Sequence, residues 1–185
     1  MAELERASTN GSPFWQFSVR FYGLEGVAPA CLSLQDEAGI DVNLLLFLLW
    51  CASNRRCLSA AEVDSLEHAC APWRRTAVIP LRALRRALKS PPALIEAGAA
   101  EAYRRRIKAV ELEAERLQQQ ALSRLFEATP PGELSPSVIV AARANLAAYA
   151  AVHDSPFDTS AIETLIAAFA KAQNIGSGEA TREEM

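Results

Sequence analysis

The sequence predicts an all-α protein: a multi-helix core of bundle or orthogonal packing, followed by a long helix or helical hairpin. Three observations lead there. Ala, Leu, Arg and Glu dominate the 185 residues, and these side chains lose little freedom in a helix. Apolar residues recur at steps of three and four, and the breaks between such stretches carry helix start and stop signals. Half of the chain is apolar and 22% is charged, the balance of a globular protein with a true core.

Met1 to Gly11 is polar and is expected to be mobile. Ser12-Pro13 then supplies an N-cap and a first-turn proline. Phe14, Phe17 and Phe21 follow on one face, widened by Trp15, Val19 and Tyr22, and Gly23 and Gly26 end the helix. A second helix is expected from Val27 to Glu37, stopped by Gly39. Asp41 caps a third, which reaches about Ser53 and is apolar all round from Leu44 to Ala52, so it should lie at the centre.

Ser59-Ala60-Ala61-Glu62 spells a capping box behind Leu58, opening a helix to about Cys70. Pro72 should bend or restart the chain, and a further stretch kinked near Pro80 reaches Lys89. Ser90-Pro91-Pro92 is a break. A long helix then runs from about Ala93 to Ala128, with Tyr103, Ile107, Val110, Ala114, Leu117 and Ala121 as a heptad-like seam. Thr129-Pro130-Pro131-Gly132 stops it. Ser135-Pro136 opens an alanine-rich helix to about Val152, and Asp158 or Thr159 opens a last one carrying Ile162, Leu165, Ile166 and Phe169. The domain reading is a disordered start at 1–11, a helical core at 12–90, an extension packing on it at 92–171, and a disordered tail at 172–185.

Composition excludes several classes. No apolar h-region opens the chain, and the longest apolar run, Leu44 to Ala52, is far short of the roughly 20 residues of a membrane span. A cytoplasmic location without membrane contact is the expectation. Cys31, Cys51, Cys57 and Cys70 then stay reduced. A metal site would need Cys51, Cys57, His68 and Cys70 together, but no short Cys-x-x-Cys clip is present, so no metal and no cofactor is expected. Gly-x-Ser-x-Gly, Gly-x-Gly-x-x-Gly and phosphate-loop patterns are absent, and the two histidines, His68 and His153, are far apart in sequence.

Charge is unevenly spread. Residues 1–70 sum to −5, residues 71–110 to +8 and residues 111–185 to −6. The basic middle supplies a candidate anion-binding patch of Arg74, Arg75, Arg82, Arg85, Arg86 and Lys89, extendable by Arg104, Arg105, Arg106 and Lys108. With Leu81, Leu84 and Leu88 facing inward, Arg82, Arg85, Arg86 and Lys89 should share an exposed face. The opposing reading pairs these arginines with Glu111, Glu113 and Glu115. A second candidate is the polar cluster Gln35, Asp36, Asp41 and Asn43, either a ligand site near the start of the third helix, with Trp15, Trp50 and Trp73 lining a pocket, or a capping network.

The string Cys31-Leu32-Ser33-Leu34-Gln35-Asp36, continued by Gly39-Ile40-Asp41-Val42-Asn43-Leu44-Leu45-Leu46-Phe47-Leu48-Leu49-Trp50, resembles a proteobacterial family of helical proteins without assigned function. Phe14-Trp15-Gln16-Phe17-Ser18 and the basic segment from Trp73 to Lys89 fit it too, and the resemblance spans roughly residues 12–110. It implies a shared N-terminal helical core and no chemistry.

The leading functional expectation is therefore a non-enzymatic interaction or regulatory protein offering an arginine-rich helical surface to an acidic protein or another anionic ligand. The overall pI near 5.5 disfavours nucleic acid. The alternative is a small-ligand binder or enzyme using Gln35, Asp36, Asp41 and Asn43. The seam of the long helix must be covered, by the chain's own core or by a second copy in a homodimer.

Overall fold

A computed structural model describes residues 11–153 and 156–180, with side chains to residue 173. The mobile start expected for residues 1–11 lies, apart from Gly11, outside the described residues.

Helix α1 (Pro13–Tyr22) begins as the sequence requires, with the Ser12 hydroxyl accepting from the Trp15 amide and Pro13 in the first turn. Helix α2 (Val27–Ala38) is bracketed by Gly26 and Gly39, both left-handed, a conformation that costs glycine nothing. Helix α3 (Val42–Ser53) is the axis of the molecule. Every residue from Asn43 to Ala52 is buried, because α1, α2, α6 and α7 pack around it.

Strand β1 (Arg56–Cys57) precedes α4 (Ala60–Trp73), which starts at the complete Ser59–Glu62 capping box. The chain runs through Pro72 without restarting. It widens into one π-helical turn over Arg74–Val78 and continues as α5 (Ile79–Ala87). Pro80 has no N–H to return to the preceding turn, so an α ladder cannot close there, and the wider turn accommodates the missing bond.

Helix α6 (Ala97–Ala128) is capped by the Glu96 carboxylate, which accepts from the Gly98 and Ala99 amides at 2.8 and 2.7 Å. Strand β2 (Glu133–Leu134) pairs antiparallel with β1, Arg56 opposite Leu134 and Cys57 opposite Glu133. This two-residue ladder is not visible in sequence patterning. Gly132 makes it possible: its φ is +76°, and a Cβ there would meet the Cys57 carbonyl oxygen at 2.6 Å. Asn145 locks the join by donating to the Leu48 and Arg56 carbonyls and accepting from the Leu58 amide.

Helix α7 (Val138–Val152) places Ala141, Ala142, Leu146 and Tyr149 against α3 and α4. Helix α8 (Thr159–Ala180) seats Leu165, Ile166 and Phe169 beside α1, α2 and α7. It runs on past residue 171, where the sequence reading ended order, and residues 181–185 lie outside the described residues. One buried cluster joins Phe14, Leu44, Phe47, Cys51 and Val63 to Leu122, Tyr149 and Phe169, so the core is shared across the break at residue 90. The fold is all-α, as the sequence predicts.

Candidate functional site

Asp41 organises the most polar part of the interior. As the N-cap of α3 its Oδ1 accepts from the Asn43 amide at 2.9 Å and from the Leu44 amide at 3.4 Å. Its Oδ2 accepts from Gln118 Nε2 and lies 3.4 Å from Arg74 Nη1. Its own amide donates to the Tyr149 hydroxyl at 2.9 Å. One aspartate thereby ties α3, the π turn, α6 and α7 together.

The network extends on both sides. Arg74 grips Glu67 with two N–H groups, and the Tyr149 hydroxyl lies 3.3 Å from the same carboxylate. Asn43 lies 3.4 Å from Gln118 Oε1 through its Nδ2, and its Oδ1 accepts from Gln119 Nε2 at 2.8 Å. Burial opposes the charge on Arg74, and the Glu67 carboxylate with Asp41 outweighs it, so the guanidinium is held above its ordinary pKa. Burial likewise opposes ionisation of Glu67, and Arg74 overrides it and lowers that carboxyl. Tyr149 is pushed up by burial and by the nearby Glu67 and Asp41. Burial, with Asp41 adding to it, drives the Cys70 thiol up to about 12, so it is no nucleophile near neutral pH.

A second ionic knot sits between α5 and α6. Glu111, itself buried, receives both Arg82 and Arg85, and Arg82 also reaches Glu115 at 2.8 Å. Burial opposes the Glu111 charge and the two arginines overcome it, lowering its pKa. Glu115 is pushed up, chiefly by burial.

These contacts correct the sequence expectation of one exposed basic face. Arg74, Arg82 and Arg85 turn inward, with side chains only 15–22% exposed, while Leu84 faces solvent. The reason is Glu111 and Glu115: a carboxylate drawn into the α5–α6 interface needs a partner, and arginine has the donors to satisfy it. Arg75, Arg86 and Lys89 remain exposed, and Arg86 pairs with Asp36 at 2.9 Å.

The polar cluster also divides. Asp41 and Asn43 enter the interior, whereas exposed Asp36 and half-buried Gln35 stay at the end of α2. Trp15 and Trp50 are core residues. Trp73 alone of the three lines an open, almost wholly apolar groove of about 440 Å³ between α4 and α6, where its indole N–H donates to the Ala114 carbonyl at 3.0 Å. Leu66, Cys70, Leu117, Gln118 and Leu125 line the same groove.

Among the described residues no three His, Cys, Asp or Glu side chains converge as metal ligands. Cys31, Cys51 and Cys70 are buried as free thiols and Cys57 is half-buried. His68 lies on the surface, 3.3 Å from Asp64.

Sequence reasoning missed Glu67, Glu111, Gln118, Gln119 and Tyr149 as interior polar groups. The available signal was register: Glu111, Ala114, Gln118 and Leu122 repeat at three and four, as helical neighbours do. The seam of apolar residues ran instead through Tyr103, Val110 and Leu117, which are 43–51% exposed, with only Ile107 and Ala114 of that set truly buried.

Helical packing around buried ion pairs, with an apolar groove alongside, defines a class of compact α-helical protein. The family model described as a protein of unknown function (DUF2390) matches residues 13–122, more than half of the chain, and the protein belongs to that family. The match takes in Asp41, Asn43, Glu67, Arg74, Glu111 and Gln118, while Tyr149 lies beyond it. No curated protein and no solved structure matches the chain.

Proposed function

We propose that the protein is a cytoplasmic interaction module whose contact surface is the apolar edge of α6 and the groove beside Trp73. The observation that carries this reading is the line of Tyr103, Val110 and Leu117, exposed at seven-residue steps and leading into the groove at Leu125. Exposed apolar side chains aligned beside a groove are characteristic of association surfaces. The arginines that would serve an acidic partner are largely engaged within the fold, leaving Arg75, Arg86 and Lys89 with Arg105, Arg106 and Lys108 as the exposed basic set. The ionic interior has a structural part in this reading, holding α4, the π turn and α6 in the register that forms the groove.

The test compares proteins captured from the natural host by the wild-type chain, by Leu117→Glu and by Arg86→Glu. Loss of the same captured set only in Leu117→Glu supports the α6 edge. Retention there with loss in Arg86→Glu returns the contact to the basic patch.

The groove favours a second reading. Its volume of about 440 Å³ lies within the range of small-molecule pockets, and Gln118 and Cys70 give it polar atoms. Displacement of a fluorescent fatty acid from the wild type but not from Ala121→Trp would support an apolar ligand there.

A further inference from the structure

We propose that the occupant of the α6 edge is a second copy of this chain, its own α6 lying antiparallel across a two-fold axis at Val110. This rests on the interaction reading above and names its partner. Tyr103 and Leu117 stand seven residues before and after Val110, about 10 Å along the helix in each direction. Reversing one helix about Val110 places Tyr103 of each copy against Leu117 of the other, with Val110 meeting itself.

Charge selects the antiparallel arrangement. Arg106 and Glu113 are both exposed and stand four residues before and three after Val110; Glu113 also receives Arg116 of its own helix at 2.7 Å, an exposed pair that leaves its carboxylate open to a second cation. At 100° per residue both fall about 40–60° to the same side of the Val110 line. In an antiparallel pair, like flanks face each other, so Arg106 of each copy meets Glu113 of the other, twice by symmetry. In a parallel pair that flank meets the opposite one, and the two side chains never face each other. The helix as a whole has the same polarity: net +3 from Ala97 to Val110 and net −2 from Glu111 to Ala128.

The same operation accounts for an exposed corner. Leu94 is 92% exposed and Ile95 is 49% exposed, just before α6. Ile95 precedes Val110 by as many residues as Leu125 follows it; α6 itself begins at Ala97, about 20 Å before Val110, and Leu125 stands about 22 Å after it. The Leu94–Ile95 corner of one copy therefore arrives near the level of the groove in the other.

The full chain is examined by sedimentation equilibrium over about 1–100 µM, with circular dichroism on every variant. Expected is a dimer whose dissociation constant rises about tenfold in Arg106→Glu and in Glu113→Arg, and returns towards the wild-type value when both are combined, because each reversal acts on two pairs. In a Cys57→Ser background, oxidation should cross-link Val110→Cys to itself. It should join Tyr103→Cys to Leu117→Cys only in a mixture, since Tyr103 residues of the two copies are about 21 Å apart. A chain monomeric throughout the range overturns the proposal, as does self-linking of Tyr103→Cys or a double reversal as weak as its singles. A monomer whose Leu117→Glu variant still loses its captured proteins removes the second copy as occupant and leaves the interaction reading standing.

Discussion

Arg74 Nη1 lies 3.4 Å from Asp41 Oδ2, joining the π turn to the cap of the central helix. Glu67 closes the other side of the same guanidinium. One cation thus stands between buried Asp41 and half-buried Glu67, drawn from different segments, and the wider turn after Pro72 presents it.

Removing that cation leaves the carboxylates uncompensated. Arg74→Ala should destabilise the fold by about 3–5 kcal/mol. The loss is to be read from the urea midpoint at constant slope. A change below about 1 kcal/mol would mean that Asp41 and Glu67 find other partners.

Two arginines of the same helix should behave differently. Arg82→Glu places a third carboxylate beside Glu111 and Glu115, and a loss of about 3 kcal/mol is expected. Arg86→Glu breaks only the exposed pair with Asp36, worth about 0–1 kcal/mol. Thermal melts of the two proteins, run side by side, check the order. Equal effects would remove the buried character of the α5–α6 knot.

Stability should fall in acid. Glu67 and Glu111 have folded pKa values below the ordinary 4.5, so their contribution is complete above pH 4.5 and is lost as pH drops through the lowered values. Glu115 has the opposite sign: raised by burial, it favours the folded state more as it gains its proton, which offsets part of the loss. Denaturant midpoints between about pH 7 and 3 should decline below pH 4.5, and Glu67→Gln should flatten that decline. An unaltered slope in Glu67→Gln would place the acid sensitivity elsewhere.

Asn43→Leu should cost about 1–3 kcal/mol, because the Gln119 amide loses its acceptor in a buried setting and the Asn43–Gln118 contact goes with it. If the combined variant Asn43→Leu with Gln119→Leu recovers part of the loss, the coupling is direct; strict additivity of the two losses would argue against it.

Much of the local structure was legible residue by residue. Ser12-Pro13, Asp41 and the Ser59–Glu62 box act within one turn, so short-range chemistry alone locates α1, α3 and α4. The all-round apolar run from Leu44 to Ala52 marks the centre, since a helix with no polar side has to be enclosed. The heptad seam of α6 was read differently because a periodic template counts apolar residues and credits them with burial. Packing on α1, α3 and α5 set the rotation of the helix so that Glu111 and Gln118 went in and Val110 and Leu117 stayed out.

The sequence by itself determined the helical segments, their caps and the central helix, because these depend on neighbours within a few positions. Only the tertiary structure decided which charges were spent internally. Arg74 finds Asp41, and Arg82 and Arg85 find Glu111, across separations that no periodicity encodes. A buried ion is tolerated only when folding delivers its counter-ion, so the fate of the basic segment rests on helix packing rather than on its own composition.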